Sequence, residues 1–81
     1  MNYNDRGLVY RSQGRFDDAL DQFRRARKLE PGKLTIIFNA GMTQVAAGRD
    51  KAALTSLKTY LLNAGSGEDP LRQSTAQKMV H

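Results

Sequence analysis

The chain has no cysteine. Disulfides, thiolate metal ligands and a thiol nucleophile are therefore excluded, and so is a small secreted scaffold held by crosslinks. A reducing compartment is permitted, with the cytoplasm favoured. Histidine occurs once, at the terminal His81, so no Ser–His pair can be assembled on a rigid element and no pair of histidines can share a metal. The "GSG" at 65–67 is not followed by the Lys and Ser or Thr of a phosphate-cradling loop, and reads as a linker. These absences predict a non-enzyme with no cofactor and no metal site. Two prolines and seven glycines are too few for a fibrous or disordered chain. No window approaches the ~18 apolar residues of a membrane span, and "MNYNDRGLVY" lacks a basic segment followed by an apolar one. A soluble chain with no signal peptide and no membrane insertion is expected.

What is present is the composition of a globular domain, 40% hydrophobic and 26% charged in 81 residues. That length sets one domain as the ceiling and leaves a modest core, so stability depends on regular packing. Thirteen Lys and Arg against eight Asp and Glu give a net charge of +5, which attracts acidic partners or nucleic acid over long range. The distribution matters more than the sum. In "GRFDDALDQFRRARKLEPG", residues 14–32, the basic members are Arg15, Arg24, Arg25, Arg27 and Lys28. Phe16, Ala19, Leu20, Phe23, Ala26 and Leu29 mark the side of that helix expected to be buried, and most of the charges lie off it. Positive charge near a helix C-terminus is favoured by the dipole, and Asp21 stands at pairing distance along the helix from Arg24 and Arg25. The run reads as a solvated outer face. Nucleic acid is disfavoured as a partner because no aromatic platform is interleaved with the charge.

The chain repeats at a shift of 34. Gly7 falls on Gly41, Gly14 on Gly48, Arg15 on Arg49, Ala19 on Ala53 and Leu20 on Leu54, with Tyr3 over Ile37 and Phe23 over Leu57. Tyr3, Gly7 and Tyr10 recur at helical spacing, as do Ala19, Phe23 and Ala26, which predicts paired amphipathic helices. Gly14 and Gly48 stand where a left-handed residue ends a helix. "EPGK" and "GSGEDP" separate the hairpins, and Asp69-Pro70 reads as an N-cap with proline at the first helical position. Helices are expected near 2–13, 16–29, 34–47, 50–63 and 69–80. The first would begin at Met1 with no N-terminal cap before it, leaving its outward side bare. In the last, Leu71 takes the place of Tyr3 and Ile37, and Thr75 that of Gly7 and Gly41, so Leu71, Thr75 and Met79 are expected to cover Leu57 and Leu61.

Tyr3, Gly7, Tyr10, Ala19, Phe23, Ala26 and Pro31 follow, in order, the pattern of the tetratricopeptide repeat family, which the chain resembles. The second copy keeps Ile37, Gly41, Ala53 and Leu57, with Gln44 for the aromatic, Tyr60 for the second alanine and Gly65 for the proline. The resemblance implies an all-α, right-handed superhelix of two antiparallel helix hairpins (1–33 and 34–67) and a capping helix (68–81), forming one domain. Gly7 and Gly41 let the paired helix approach closely, while Ala19 and Ala53 admit large side chains from the facing helix.

The resemblance also implies binding in place of catalysis. In such superhelices the first helix of each pair lines the concave side where ligand peptides lie. Carried over by position, that surface has Asn4, Asp5, Leu8, Arg11 and Ser12, then Phe38, Asn39, Met42, Val45 and Ala46, then Arg72, Gln73 and Ala76. Phe38, Met42 and Val45 either stack between hairpins or face a ligand. The family's grip on a peptide's terminal carboxylate, a set of Lys, Asn and Arg residues, is kept only at Asn39; Asn4, Leu8, Asp69 and Gln73 occupy its other places. The expected function is a protein–protein interaction scaffold for a peptide or helix, with a segment of a longer solenoid or a self-associating homo-oligomer as the alternative.

Overall fold

The computed structural model describes residues 1–80, and His81 lies outside them. Five helices follow one another: α1 (Tyr3–Ser12), α2 (Phe16–Leu29), α3 (Leu34–Ala46), α4 (Asp50–Asn63) and α5 (Pro70–Val80). There is no strand among the described residues. Each helix packs on the next, and α1 also touches α3.

The helix ends follow from local chemistry. Asn2 caps α1, its side-chain oxygen accepting from the Asp5 N–H at 2.8 Å. The two hairpin turns are the same object built twice. Gly14 and Gly48 adopt φ of 75° and 74°, which a Cβ would strain. In the first turn the Arg15 N–H reaches the Tyr10 carbonyl and the Gly14 N–H that of Arg11; in the second, Arg49 reaches Gln44 and Gly48 reaches Val45. This paired 6→1 and 5→2 closure is the Schellman arrangement. Asp17, Asp18 and Asp50 then place negative charge at the starts of α2 and α4. Asp69 caps α5 by accepting from the Leu71 N–H at 2.9 Å, and Pro70 fills the first helical position.

Two core clusters result. One joins Ala19, Phe23, Ala26 and Ile36; the other joins Ile37, Leu57, Tyr60 and Ala76. The glycines supply the closest crossings. A Cβ on Gly7 would meet the Phe23 ring at 2.5 Å, and one on Gly41 would meet Leu57 at 2.8 Å. Tyr3 and Tyr10 are half-buried, whereas Pro31 is exposed in the turn between hairpins. Leu29, expected on the buried side of α2, is exposed instead, at 71%, while Ala26 in the same last turn is the residue that enters the core. Each fully buried large side chain contributes about 1.5–3 kcal/mol, so Phe23, Leu57 and Tyr60 dominate the two clusters.

The last helix sits in a different register from the expected one. Ala76 is fully buried, while Leu71 is 77% and Met79 is 41% exposed. Ala76, not Thr75, is the small residue at the crossing, with Val80 beside it against the second cluster. The cause is in the linker. Ala76 lies 35 residues after Gly41, whereas Gly41 lies 34 after Gly7, and one residue turns a helix by roughly 100°.

That linker is tied down. The Tyr60 hydroxyl donates to Glu68, and the Gln73 amide donates to the Gly65 and Glu68 carbonyls at 3.2 and 3.3 Å. Burial, followed by the neighbouring Glu68 carboxylate, pushes the Tyr60 phenol above its ordinary pKa. Tyr60, which departs from the small residue at the matching place in the first hairpin, is thus the largest fully buried side chain. Ala76 opposite makes the room.

Candidate interaction surface

The first helices α1, α3 and α5 are fastened side by side through polar contacts. The Asn39 amide donates to the Asn4 side-chain oxygen at 3.1 Å, and Arg72 donates to the Thr35 hydroxyl at 3.3 Å. Asn39 is only 8% exposed, so its carboxamide is largely engaged within the fold. Arg72 also lies 4.0 Å from the Glu68 carboxylate.

The remaining residues read from the sequence as a groove fall into three groups. Leu8, Arg11 and Met42 are half-buried, with Leu8 against the first core cluster. Phe38 is also half-buried, its ring 5.2 Å from that of Tyr60 and tilted by 54°. Of the two roles open to Phe38, packing within the fold is the one its contacts serve. Val45 borders a separate cleft of about 300 Å³ with Leu54 of α4 and Met79 of α5. Among the further positions, Asp5, Ser12 and Ala46 are exposed, Gln73 holds the linker and Ala76 is core. The structure therefore brings Leu8, Arg11, Asn39 and Met42 onto neighbouring first helices and turns Val45 toward α4 and α5.

The basic residues are not equivalent either. Arg15 stacks over the Tyr10 ring at 4.5 Å and pairs with Asp18 at 2.9 Å. At the matching place in the second hairpin Gln44 replaces the tyrosine and bonds Ser56 at 2.6 Å. Arg49, without a ring to stack on, pairs with Asp17 of α2. Asp21 holds both Arg24 at 3.5 Å and Arg25 at 3.1 Å, and it raises the pKa of Arg25 further. The solvated-face reading suits Arg25 and Lys28. Arg24, Arg27 and Arg49 instead border a groove between α2 and α4, which the sequence pattern did not single out. Its signal would have been the short side chains recurring along α4 at Ala52, Ser56 and Thr59.

Residues 3–33 match the tetratricopeptide repeat family. Those residues are similar to one tetratricopeptide repeat. The match spans α1, α2 and the turn to Lys33, and the second hairpin reproduces the same turn and glycine crossing. No curated protein and no solved structure matches the chain significantly. The tetratricopeptide repeat is a non-catalytic unit that serves in general to bind other proteins. Among the described residues no three His, Cys, Asp or Glu side chains gather as metal ligands would, and no helix is long and apolar enough to cross a membrane.

Proposed function

We propose that the face formed by α1, α3 and α5 binds a peptide or helical segment of a partner protein, and that the chain acts as a scaffold or adaptor without catalysis of its own. The observation that carries this is the row of first helices joined by Asn39–Asn4 and Arg72–Thr35. Leu8 and Arg11 of α1 and Met42 of α3 are half-buried residues of these adjoining helices, which supports a reading of helix-in-groove or extended-peptide recognition. Asn4, half-buried, keeps hydrogen-bonding capacity for a ligand main chain beyond the bond it shares with Asn39. In this reading the chain is one unit, and its lack of cysteine accords with a reducing compartment such as the cytoplasm. Selecting peptides from a displayed library on the immobilised chain supplies ligands for the test. Met42→Glu and Arg11→Ala should each weaken their binding with helicity kept. Peptides that bind both variants as well as the parent would reject the concave site.

A second reading has its own observation. α4 and α5 leave Leu62 86% and Leu71 77% exposed, so the last helix offers an apolar outer side where a terminal cap needs a polar one. This favours a self-associating block or a part of a longer solenoid. Sedimentation velocity over a range of concentrations tests self-association, with Leu62→Ser combined with Leu71→Ser expected to shift the chain toward monomer. A parent that stays monomeric at high concentration rejects it.

A further inference from the structure

The outer side of the two hairpins carries a groove between α2 and α4, floored by α3. Its two adjoining parts measure about 280 and 360 Å³, and Arg27 borders both. The accessible apolar part of the floor is the half-buried Leu20 and Ala40, and Phe23 and Ile36, each only 1% exposed, close it from beneath. The α4 wall is low, because Ala52, Ser56 and Thr59 are short. Ser56 already donates to Gln44 at 2.6 Å, so the middle of the groove makes little polar demand on an occupant.

The charge is concentrated at the walls. Arg24 and Arg27 stand on α2, and Arg49 stands at the start of α4. Arg49 is paired with Asp17, and Arg24 shares Asp21 with Arg25. No carboxylate pairs with Arg27 among the described residues. Guanidinium groups present planar, fixed donors that match a carboxylate in two-point contacts. An apolar floor between such walls complements a segment with an aliphatic side chain flanked by acidic ones.

We propose that this outer groove is a docking site for an acidic peptide segment of a partner protein, separate from the face of the first helices. One Leu-sized side chain of the occupant covers the floor over Leu20 and Ala40, and its flanking carboxylates engage Arg27 and Arg24. A nucleic acid is less well served. The only aromatic ring at the groove is that of the buried Phe23, so bases have no stacking platform.

The probe is a dye-labelled peptide of about twelve residues, long enough to span ~18 Å as a helix, with Glu on both sides of a central Leu. A control peptide carries Gln for every Glu. Both are titrated onto the full chain by fluorescence anisotropy, and amide NMR shifts locate the site. The Glu peptide should bind about tenfold more tightly than the Gln peptide and weaken with salt. Arg27→Ala should cost roughly fivefold or more, on the same charge-assisted reasoning. Ala52→Glu, which adds a carboxylate at an exposed position in the wall, should abolish binding without lowering the melting temperature. Met42→Ala should leave it unchanged, and the amides of Ala40, Ala52 and Ser56 should move. Equal binding of the two peptides, no binding of either, or shifts confined to α1 and α5 would each overturn the proposal. So would a DNA duplex that binds more tightly than the Glu peptide and is lost in Arg27→Ala.

Discussion

Replacing Gly7 by alanine perturbs the tightest crossing in the fold with a single methyl group. The new Cβ would stand 2.5, 2.7 and 2.8 Å from three atoms of the Phe23 ring, where carbon atoms rest at about 3.5–4.0 Å. The ring is flat, rigid and only 1% exposed, so either α1 moves away from α2 or the ring displaces its neighbours in the first cluster. Overpacking of this kind costs about 1–3 kcal/mol. Against it stands the roughly 0.8–1 kcal/mol by which alanine is preferred to glycine inside a helix. The expected result is a net loss of about 1 kcal/mol, which in a domain of this size lowers Tm by roughly 4–8 °C. Gly41→Ala is the matched comparison. Its new Cβ would meet the Leu57 side chain at 2.8 and 3.0 Å, and a leucine can yield by a rotamer change where a ring cannot. Its net effect should be near zero. Thermal and urea unfolding followed by circular dichroism gives both values. Phe23→Leu supplies a second check, because the cost of Gly7→Ala should shrink in that background by a coupling of about 0.5 kcal/mol or more. A Gly7→Ala protein that melts at or above the parent, or below which Gly41→Ala falls, refutes the account of the crossing.

Three further outcomes are expected. Ala76→Leu should lose about 1–3 kcal/mol by overpacking while Thr75→Leu changes little, and equal urea midpoints for the two would place α5 in the other register. The folded state holds the Tyr60 proton more tightly than the unfolded chain, whose tyrosine ionises near pH ~10. The contribution of the neutral phenol is therefore complete below that pH and lost as pH rises above it. Urea midpoints should fall more steeply between about pH 9 and 11 in the parent than in Tyr60→Phe, and parallel curves would contradict the burial of the Tyr60 phenol beside Glu68. Asp69→Ala should cost about 1 kcal/mol through loss of the α5 cap, read as a lower urea midpoint, and an unchanged midpoint would mean that Pro70 alone starts the helix.

The hairpins were legible because their determinants are local or repeat at a fixed interval. Glycine in the left-handed region at Gly14 and Gly48 ends a helix whatever surrounds it, and Gly7 and Gly41 mark the crossings through their missing Cβ. Each observed helix accordingly lies within a residue of its expected bounds. The last helix was harder, since its rotation depends on the length of the preceding linker, and the 34-residue shift had one residue too few to reach Ala76. Tyr60 read as a departure from the repeat because a single position does not reveal that its partner helix has shrunk in compensation. The binding surfaces were less legible still. Asn39 and Phe38 occupy places where a ligand could be met, yet Asn4 and Tyr60 engage them, and only the contacts distinguish a side chain spent on the fold from one left over. Arg27 and Arg49 are far apart in sequence and meet at one groove only after α3 has brought the hairpins together.

The two kinds of connection differ in what evolution can do with them. The Gly14 and Gly48 turns each lock two backbone bonds in a fixed order, so an inserted residue would break a bond and unseat both helices at once. The segments around Pro31 and Gly65–Asp69 hold no such pattern, and the second, residues 64–69, is longer than the first, residues 30–33, with every helix intact. The difference is absorbed as a rotation of α5, with Gln73 and Glu68 refastening the slack. A change of spacer length at these joints therefore turns the next helix and leaves the hairpin turns closed, at the expense of the contacts that fasten the second joint to Tyr60 and Gln73. A chain of this design varies by re-aiming its next helix, so that new exposed faces arise from changes in spacer length without any substitution on the helices themselves.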